Sequence, residues 1–338
     1  MQIKKNISLK PYNTFNVEAN AKYFVVVNTI PELKEVLVNK DYLSENKLII
    51  GGGSNILFTQ DYSGLVIKLN NSNIEILSET KDNVFVKVEA GIEWDYFVKY
   101  TIDKGLSGFE NLSLIPGNVG AAPIQNIGAY GVEVKDLIES VNLVLVDDLS
   151  EKTLQKSECN FGYRNSIFKN ELKDKFIITS VVFKLSKKQS INLDYQPLKN
   201  YFQSNNISNI TSQEVRDAVI SIRESKLPNP KEIGNAGSFF KNPIISAEKY
   251  EHLKSNYNDL IGYPESDSKI KISAGWLIEK CGLKGKRDGN VGIHEKQALV
   301  IVNFGDARGK EIVEFSKAVQ KKVYEKFNIE LINEVNII

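Results

Sequence analysis

Hydrophobic residues in the first part of the chain fall into short continuous runs that flank one amphipathic stretch. The runs at 23–28, 48–50 and 65–69 predict buried strands. The stretch 31–39 begins with Pro31, which the first turn of a helix tolerates because the N–H group there has no partner to lose. The segment up to residue 69 is therefore predicted to form a small β-α-β-β unit.

The pattern changes after residue 73. Residues 84–90 alternate between apolar and polar side chains, which predicts a half-buried strand, and 93–104 has its apolar side chains at helical spacing. Further strands are predicted at 141–147, 176–185, 191–195 and 298–303. Further helices are predicted at 213–224, near 273–280 and at 308–326. Asn and Ser cluster near 205–212, which indicates a domain boundary there.

Composition removes several classes of protein. The 338 residues include 43 Lys and Arg against 42 Asp and Glu, so the basic excess of a nucleic-acid-coating or membrane-surface protein is missing. Two cysteines far apart and two histidines make neither a disulfide framework nor a metal site. No signal peptide and no membrane-spanning apolar run is recognisable, so we expect a cytoplasmic protein without metal.

The first of two glycine-rich segments, Gly51-Gly52-Gly53-Ser54-Asn55, directly follows a predicted strand. Backbone N–H groups approach a phosphate closely only where side chains are absent, so this arrangement favours a nucleotide site. The segment has neither the Rossmann spacing nor the Gly-Lys-Ser/Thr of a P-loop. A plain tight turn is the alternative, and three glycines alone do not decide between the two.

The second segment, 105–131, has little periodicity but six glycines and two prolines. A loop this long inside a compact domain is usually functional, and its small residues allow a flat ligand and a pyrophosphate to lie against main chain. Two such loops suggest a dinucleotide held between them, whereas two independent surface turns are the alternative. The candidate cofactor-binding residues are Gly51, Gly52, Gly53, Ser54, Asn55, Pro116, Gly117, Gly120, Ala121, Asn126, Gly128, Ala129, Tyr130 and Gly131.

Five segments together resemble one known family, the UDP-N-acetylenolpyruvoylglucosamine reductases. They are the two glycine-rich segments, Phe-Gly-Tyr-Arg-Asn-Ser at 161–166, Gly-Asn-Ala-Gly-Ser-Phe-Phe-Lys-Asn-Pro at 234–243, and Ser-Ala-Gly-Trp-Leu-Ile at 273–278. The likeness runs from about Asn13 to the C-terminus. The combination is highly specific, although each segment alone would be a weaker signal.

The resemblance implies an α+β fold with an FAD-binding domain of the vanillyl-alcohol-oxidase (PCMH) type. Its two α+β subdomains would span 1–70 and 71–208, and an α+β substrate domain would span 209–338, with the final residues able to return toward the FAD domain. Some relatives attach FAD covalently through His or Cys. Because His252 and His294 lie outside the predicted FAD domain and only Cys159 is an alternative anchor, we expect non-covalent FAD.

The resemblance also implies the chemistry, an NADPH-dependent, FAD-mediated reduction of the enolpyruvyl group of a UDP-N-acetylglucosamine derivative to UDP-N-acetylmuramate. Hydride addition leaves an enolate that needs a cation and a proton. By resemblance Arg164 stabilises the enolate, Ser238 donates the proton and Glu334 completes the catalytic set, and a guanidinium suits a carboxylate because it offers two parallel hydrogen bonds. Without the resemblance these residues would be interpreted as a structural ion pair, a loop serine and a solvated glutamate.

The substrate-holding residues implied by the resemblance are Tyr163, Lys226, Asn242, Gln297 and Tyr195. Tyr195 resembles the tyrosine of a subgroup in which a mobile loop closes over the nucleotide.

The chain departs from the family pattern twice. Gln196-Pro197 replaces a more usual glycine-containing turn after Tyr195, and Asn16 stands where glycine is common. Asparagine tolerates a left-handed backbone, so we expect no loss of fold at Asn16.

The expected partners are therefore a small nucleotide sugar and NADPH, with no nucleic acid and no membrane, and the chain is expected to act as a monomer. Two other functions remain open on the sequence alone. One is an FAD oxidase or dehydrogenase of the same fold with another substrate, because fold does not fix function. The other is a non-catalytic nucleotide-binding protein, for which the purified protein would show no flavin absorbance.

Overall fold

A computed structural model describes residues 2–338 and contains seven α-helices and twenty strands in that range. The first twelve strands are β1 (Lys4–Ser8), β2 (Asn20–Val27), β3 (Lys47–Ile50), β4 (Ile56–Leu57), β5 (Tyr62–Leu69), β6 (Ile74–Glu79), β7 (Asn83–Glu89), β8 (Gly128–Ala129), β9 (Val132–Glu133), β10 (Ile138–Leu145), β11 (Glu151–Gln155) and β12 (Phe176–Ser186). The others are β13 (Gly234–Ser238), β14 (Ile244–Ser246), β15 (Gly262–Ser266), β16 (Lys269–Ile272), β17 (Arg287–Asp288), β18 (Val291–Ile293), β19 (Val300–Asn303) and β20 (Asn336–Ile337). The helices are α1 (Ile30–Val38), α2 (Trp94–Asp103), α3 (Gln196–Ser204), α4 (Ser212–Lys226), α5 (Ala247–Asn256), α6 (Ala274–Lys280) and α7 (Gly309–Phe327).

The chain divides into two compact units, each assembled from separate stretches. The first unit comprises 1–7, 21–53 and 63–225, and the second comprises 8–20, 54–62 and 226–338. The chain therefore passes from the first unit to the second inside the first glycine-rich segment, between Gly53 and Ser54. The subdomain and domain boundaries drawn from the family resemblance remain predictions.

A four-stranded sheet of the first unit has the order β1-β2-β5-β3, with β3 and β5 parallel. Helix α1 begins at Ile30, one residue earlier than predicted, with Pro31 in its first turn, and Thr29 caps it by accepting the N–H of Glu32. Its apolar face packs on the sheet through Leu33 and Val36. The strands predicted at 23–28, 48–50 and 65–69 are therefore present as β2, β3 and β5, whereas β1 and β4 were not predicted.

A five-stranded antiparallel sheet of order β11-β10-β12-β7-β6 forms the larger part of the first unit. Its core contains an aromatic cluster in which Trp94 and Phe97 of α2 meet Phe109 and Phe183 edge-on or tilted. The indole of Trp94 donates to the carbonyl of Leu112 at 2.9 Å. The cluster therefore holds the start of the second glycine-rich segment against the sheet.

Helices α3 and α4 of the first unit share a small apolar core of their own. Leu198 and Phe202 of α3 pack against Val215 and Val219 of α4, and Tyr130 of the second glycine-rich segment packs on the same cluster. The predicted strand at 191–195 is wrong: Asn192 Oδ1 accepts the N–H of Asp194, a local side-chain turn that competes with extended pairing.

The second unit contains a β13-β19-β18-β17 sheet, a β14-β16-β15 sheet and a parallel β20-β4 pair. Its two earlier stretches are hydrogen-bonded into the later one: Asn235 N–H donates to Thr14 O at 2.9 Å, and Asn336 N–H donates to Asn55 O at 3.0 Å. Asn16 has φ 55° and donates to Pro230 O, so the expectation that asparagine accepts a left-handed backbone there is confirmed.

Helices that would be long and apolar enough to cross a bilayer do not occur within residues 2–338.

Candidate functional site

The glycines of the first segment, Gly51–Gly53, lie against the second segment within the first unit. A Cβ atom on Gly51 would lie 2.7 Å from Oδ1 of Asn118, and one on Gly52 would lie 3.4 Å from Cα of Gly117. Gly53 has φ 62°, a backbone conformation that glycine adopts without strain. Gly51 and Gly52 therefore lie close to the second segment, and side chains at these positions would close the space between the two.

Backbone hydrogen bonds fix the second segment to the end of β7. Gly117 O accepts the N–H of Trp94 at 2.9 Å, and Gly120 N–H donates to Ala90 O at 3.0 Å. The Asn118 carboxamide donates to Gly91 O. The segment is less irregular than its sequence suggests, since it contains 3-10 turns at Glu110–Leu112 and Val119–Ala121 and the β8–β9 hairpin.

Arg164 lies in a tight turn beside this hairpin. Gly162 and Asn165 close the turn by exchanging backbone hydrogen bonds of 3.0 and 3.2 Å, and Arg164 itself has φ 51°. Its Nη2 donates to Gly128 O at 2.7 Å and its Nη1 to Asn126 O at 3.4 Å. The guanidinium carbon lies 5.5 Å from the centroid of the Tyr163 ring. The structure thus brings two predicted site residues together with the second glycine-rich segment.

Asn126 explains why this turn is fixed. The residue is fully buried with φ 44°, and its Nδ2 donates to Gly162 O and to Glu133 Oε2, both at 3.0 Å. Its Oδ1 accepts the N–H of Lys135 at 3.1 Å. The predicted cofactor residue Asn126 therefore has a structural task, which is to join the Arg164 turn to the β8–β9 hairpin.

Ser238 and Glu334 come together in the second unit. Ser238 ends β13, where the pairing with β19 is irregular between Asn235 and Ser238, and Gly237 inside this bulge has φ 68°. The next residue, Phe239, accepts the N–H of Glu334 at 2.8 Å. Asn55 Nδ2 donates to Glu334 O at 3.3 Å. Three predicted site residues thus lie on adjoining backbone segments.

Asn242 and Gln297 meet at the start of α6. Asn242 Oδ1 accepts the N–H of Ala274 at 3.0 Å, so its carbonyl caps the helix and its amide group is the part suited to a ligand. Gln297 Oε1 lies 3.5 Å from the position of a Cβ on Gly275. Lys226 is exposed at the end of α4.

Tyr195 directly precedes α3, with Pro197 in the first turn of that helix. Its ring lies edge-on to Tyr130 at 5.3 Å, and 38% of the residue is exposed. The departure at Gln196-Pro197 therefore starts a helix in place of a glycine turn. Whether Tyr195 moves stays a prediction.

Three charged residues that the sequence did not single out lie near Tyr130. Both carboxylate oxygens of Asp95 accept from Arg216, at 2.7 and 2.8 Å, and Oδ1 also accepts the N–H of Leu114. Arg223 forms a side-chain hydrogen bond with Tyr130, while its buried Nε has no hydrogen-bond partner among the described residues. The only sequence signal was the seven-residue spacing of the two arginines on α4, which places them on one face.

The pKa directions follow from this burial. Burial raises the pKa of Tyr130, against the opposing effect of Arg223, and burial lowers the pKa of Arg223, against Tyr130 and Asp95. Burial also acts to raise the pKa of Asp95, but the hydrogen bonds from Arg216 and Leu114 outweigh it and hold that pKa below its usual range. Asp95 is therefore ionised and Tyr130 neutral at pH 7.

Cys159 is buried and its thiol donates weakly to Gln155 O. Burial, with the nearby charge of Glu158, raises the pKa of this thiol to about 12. A thiol that stays protonated is a poor nucleophile, so Cys159 is unsuited to covalent attachment of a flavin.

A second feature that the sequence did not reveal is a row across the β14-β16-β15 sheet. Ile244 and Tyr263 both pair with Lys271, and both are exposed. The Lys271 ammonium of this row is paired with the carboxylate of Glu265 on β15. The alternation of residues 269–272 was its only sequence signal.

Two family models match separate parts of the chain. A model described as "FAD binding domain" matches residues 21–149, and one described as "UDP-N-acetylenolpyruvoylglucosamine reductase, C-terminal domain" matches residues 229–338. The chain is 51% identical to the UDP-N-acetylenolpyruvoylglucosamine reductase of Flavobacterium johnsoniae, over all of both chains. It is 42% identical to that of Pseudomonas aeruginosa, over 100% of this chain and 99% of the relative.

A solved structure of the same reductase from Thermus caldophilus is also similar, with a TM-score of 0.70 and 25% identity. The match covers 100% of this chain and 99% of that one. Together the matches confirm the expected α+β fold with an FAD-binding domain and a C-terminal domain.

Proposed function

The chain belongs to the UDP-N-acetylenolpyruvoylglucosamine reductase family, and from that membership we propose which of its own residues carry out each part of the reaction. It is an FAD-containing oxidoreductase that uses NADPH and acts on a small nucleotide-sugar substrate in peptidoglycan synthesis. The reaction reduces the enolpyruvyl group of UDP-N-acetylglucosamine-enolpyruvate to give UDP-N-acetylmuramate. The role of each side chain in this reaction is what we propose.

The glycine-rich segments would hold FAD without a covalent bond. Their fit rests on the close approach of Gly51 and Gly52 to Gly117 and Asn118, which leaves main chain where side chains would intrude. When bound, FAD supplies hydride transfer from NADPH to the enolpyruvyl methylene carbon. The high pKa of the Cys159 thiol supports non-covalent binding.

Arg164 would stabilise the negative charge that develops on the substrate carboxylate after hydride addition. A guanidinium group presents its N–H donors in one plane, which suits a carboxylate. The bonds to Gly128 O and Asn126 O fix that plane before substrate arrives, which reduces the reorganisation required in the transition state. Tyr163 would hold the substrate beside it.

Ser238 would give its hydroxyl proton to the carbanionic carbon, with Glu334 beside it to polarise the carboxylate or orient a water. The observation that carries this assignment is the hydrogen bond from Glu334 N–H to Phe239 O, which sets Glu334 against the residue next to Ser238. The bulge at Gly237 interrupts the regular pairing with β19 directly before Ser238, at the end of β13. General acid catalysis of this kind contributes about a hundredfold or more to turnover.

Lys226, Asn242 and Gln297 would bind the nucleotide sugar, and Tyr195 would close over it. Support comes from the amide group of Asn242, which the helix cap at α6 leaves as the donor, and from Gln297 beside the same helix start. A monomeric, cytoplasmic enzyme without nucleic-acid or membrane partners is also proposed. The balanced charge and two free thiols support this environment.

The experiment that tests the assignment separates the two half-reactions. Ser238→Ala should leave reduction of the bound flavin by NADPH unchanged and slow its reoxidation by the enolpyruvyl substrate by at least about a hundredfold. Both rates are measured by stopped-flow absorbance of the flavin. Ser255→Ala, on the exposed side of α5, is the matched control. Reoxidation at the wild-type rate in Ser238→Ala would refute the serine as proton donor.

A further inference from the structure

The partly buried cluster of Asp95, Arg216, Arg223 and Tyr130 has an imbalance of charge. Two guanidinium groups are near one carboxylate, and Tyr130 is neutral because burial raises its pKa. Among the described residues no second carboxylate takes part in these interactions. A charge that is removed from water without a close counter-ion destabilises a folded protein. A role in stabilising the fold therefore does not explain the surplus positive charge.

The hydrogen bonds show which of the two arginines lacks a carboxylate partner. Arg216 binds both oxygens of Asp95 in the parallel arrangement that guanidinium and carboxylate groups prefer. Oδ1 of Asp95 accepts the N–H of Leu114 as well, so both oxygens of this carboxylate are occupied. Arg223 is therefore left with the Tyr130 hydroxyl, a neutral partner, and with a buried Nε that has none.

The same contacts tie the cluster to the second glycine-rich segment. Leu114 has φ 58° and immediately precedes Ile115-Pro116-Gly117, and Tyr130 lies at the other end of the segment. Asp95 thus connects α2, α4 and the start of this segment, while Arg223 contacts its end. Both ends of the loop that is suited to the cofactor meet one charged cluster.

We propose that Arg223 provides the positive charge for an anionic group of FAD. Asp95 is the positioning residue: it binds Arg216 and the Leu114 amide, and so leaves Arg223 without a carboxylate partner of its own. The inference rests on the proposed function, because it assumes that the glycine-rich segments hold FAD. Main chain lined by glycines supplies no full positive charge to the cofactor, and Arg223 would supply one. The pyrophosphate of the cofactor has the matching charge.

A positive charge that serves to bind an anionic ligand destabilises the ligand-free protein and stabilises the complex. An arginine with a purely structural role does not have this effect. Arg223→Gln should therefore weaken FAD binding about tenfold or more, while the melting temperature of the ligand-free protein stays unchanged or rises. Asp95→Asn should weaken FAD binding and lower the melting temperature, because the amide has no negative charge and only one acceptor oxygen for the donors of Arg216 and Leu114.

The measurements are the dissociation constant for FAD, from quenching of its fluorescence, and the melting temperature with and without saturating FAD. Asp103→Asn is the matched control, since Asp103 lies on the same helix as Asp95 and pairs only with Lys99 at the exposed surface among the ion pairs of the described chain. We expect it to change neither quantity measurably.

Two results would overturn the inference. A lower melting temperature of ligand-free Arg223→Gln, with FAD affinity within twofold of wild type, would make Arg223 a structural residue. An unchanged FAD affinity with a raised KM for the nucleotide sugar would assign the charge to the substrate. If the wild-type protein bound no FAD at all, the proposed function itself would fail, a result that differs from both of the others.

Discussion

The guanidinium of Arg164 combines a fixed charge with a fixed plane, and a substitution can remove one without the other. Arg164→Lys keeps the charge but loses the paired donors that bind Gly128 O and Asn126 O. We expect kcat to fall about a hundredfold, the usual effect of removing one donor to a developing oxyanion, while flavin reduction by NADPH is retained. Stopped-flow absorbance of both half-reactions is the measurement.

Arg287→Lys is the matched control, because Arg287 is exposed, lies 4.2 Å from the centroid of the exposed Phe304 ring and donates to Gly289 O. Its turnover should stay near wild type. If Arg164→Lys turned over as fast as this control, the charge alone would suffice and the case for bidentate binding would be lost.

At the level of residues, the sequence could identify candidate side chains but not their existing hydrogen bonds. The motif containing Asn242 resembles a substrate site, yet its carbonyl caps α6, a pairing across 32 positions. The Asp95–Arg216 pair spans 121 positions, and only folding brings the two residues together. Spacing along one helix or strand is readable from sequence, whereas partners on different elements are not.

At the level of elements, the close approach of the two glycine-rich segments leads to a steric prediction. Gly51→Ala would place a methyl group 2.7 Å from Oδ1 of Asn118, whose own carboxamide is held by Gly91 O. The first segment would have to shift, so we expect weaker FAD binding with little change in secondary structure. Fluorescence quenching of FAD and circular dichroism measure the two effects.

Gly305→Ala is the control for this substitution, since no heavy atom lies within 4 Å of its added Cβ and its φ is ordinary. It should bind FAD as the wild type does. Wild-type affinity in Gly51→Ala would show that the contact between the segments does not shape the cofactor site.

At this level the hydrophobic pattern predicted α1, α2, α4, α6 and α7, but it missed α3, α5 and many short strands such as the two-residue strands β4, β8 and β9. Local hydrogen bonding explains the one strand that was predicted wrongly. The strand expected at 191–195 does not form: Ile191 and Leu193 do pack inward, but on the α3–α4 cluster, and Asn111 donates to Asn192 O. The β13 bulge was not predictable either, because it depends on pairing with β19, more than sixty residues later in the sequence.

At the level of the whole molecule, the second unit is built from three stretches of chain. The stretch 226–338 alone lacks Thr14, which accepts from Asn235, and Asn55, which accepts from Asn336. It also lacks Phe58, whose carbonyl lies so near Gly309 that no side chain fits there. We expect a fragment of residues 226–338 to unfold without cooperativity.

The fragment contains one of the two tryptophans, Trp276, which packs between Tyr257 and Phe327 in the intact chain. Its emission in the fragment should shift to that of exposed indole. The matched comparison is the full chain with Trp94→Phe, in which Trp276 also reports alone. A cooperative transition with the same emission in both proteins would show that 226–338 folds by itself.

Hydrophobic patterning has no signal for this discontinuous arrangement. The family resemblance divides the chain into consecutive blocks, and nothing in the pattern of 8–20 or 54–62 indicates that they join the C-terminal third. Contacts between distant stretches arise from tertiary packing, which depends on all three stretches at once.

The three-piece construction also has a consequence during translation. A ribosome releases Phe15 and Phe58 early, yet Phe239 and Gly309, which contact them, belong to the last third to be made. Until then these two residues lack their native contacts from that third, so the nascent chain exposes apolar surface for most of its synthesis. Chaperones that bind such surface should therefore associate with stalled chains that end before residue 226 and release those that extend to the terminus.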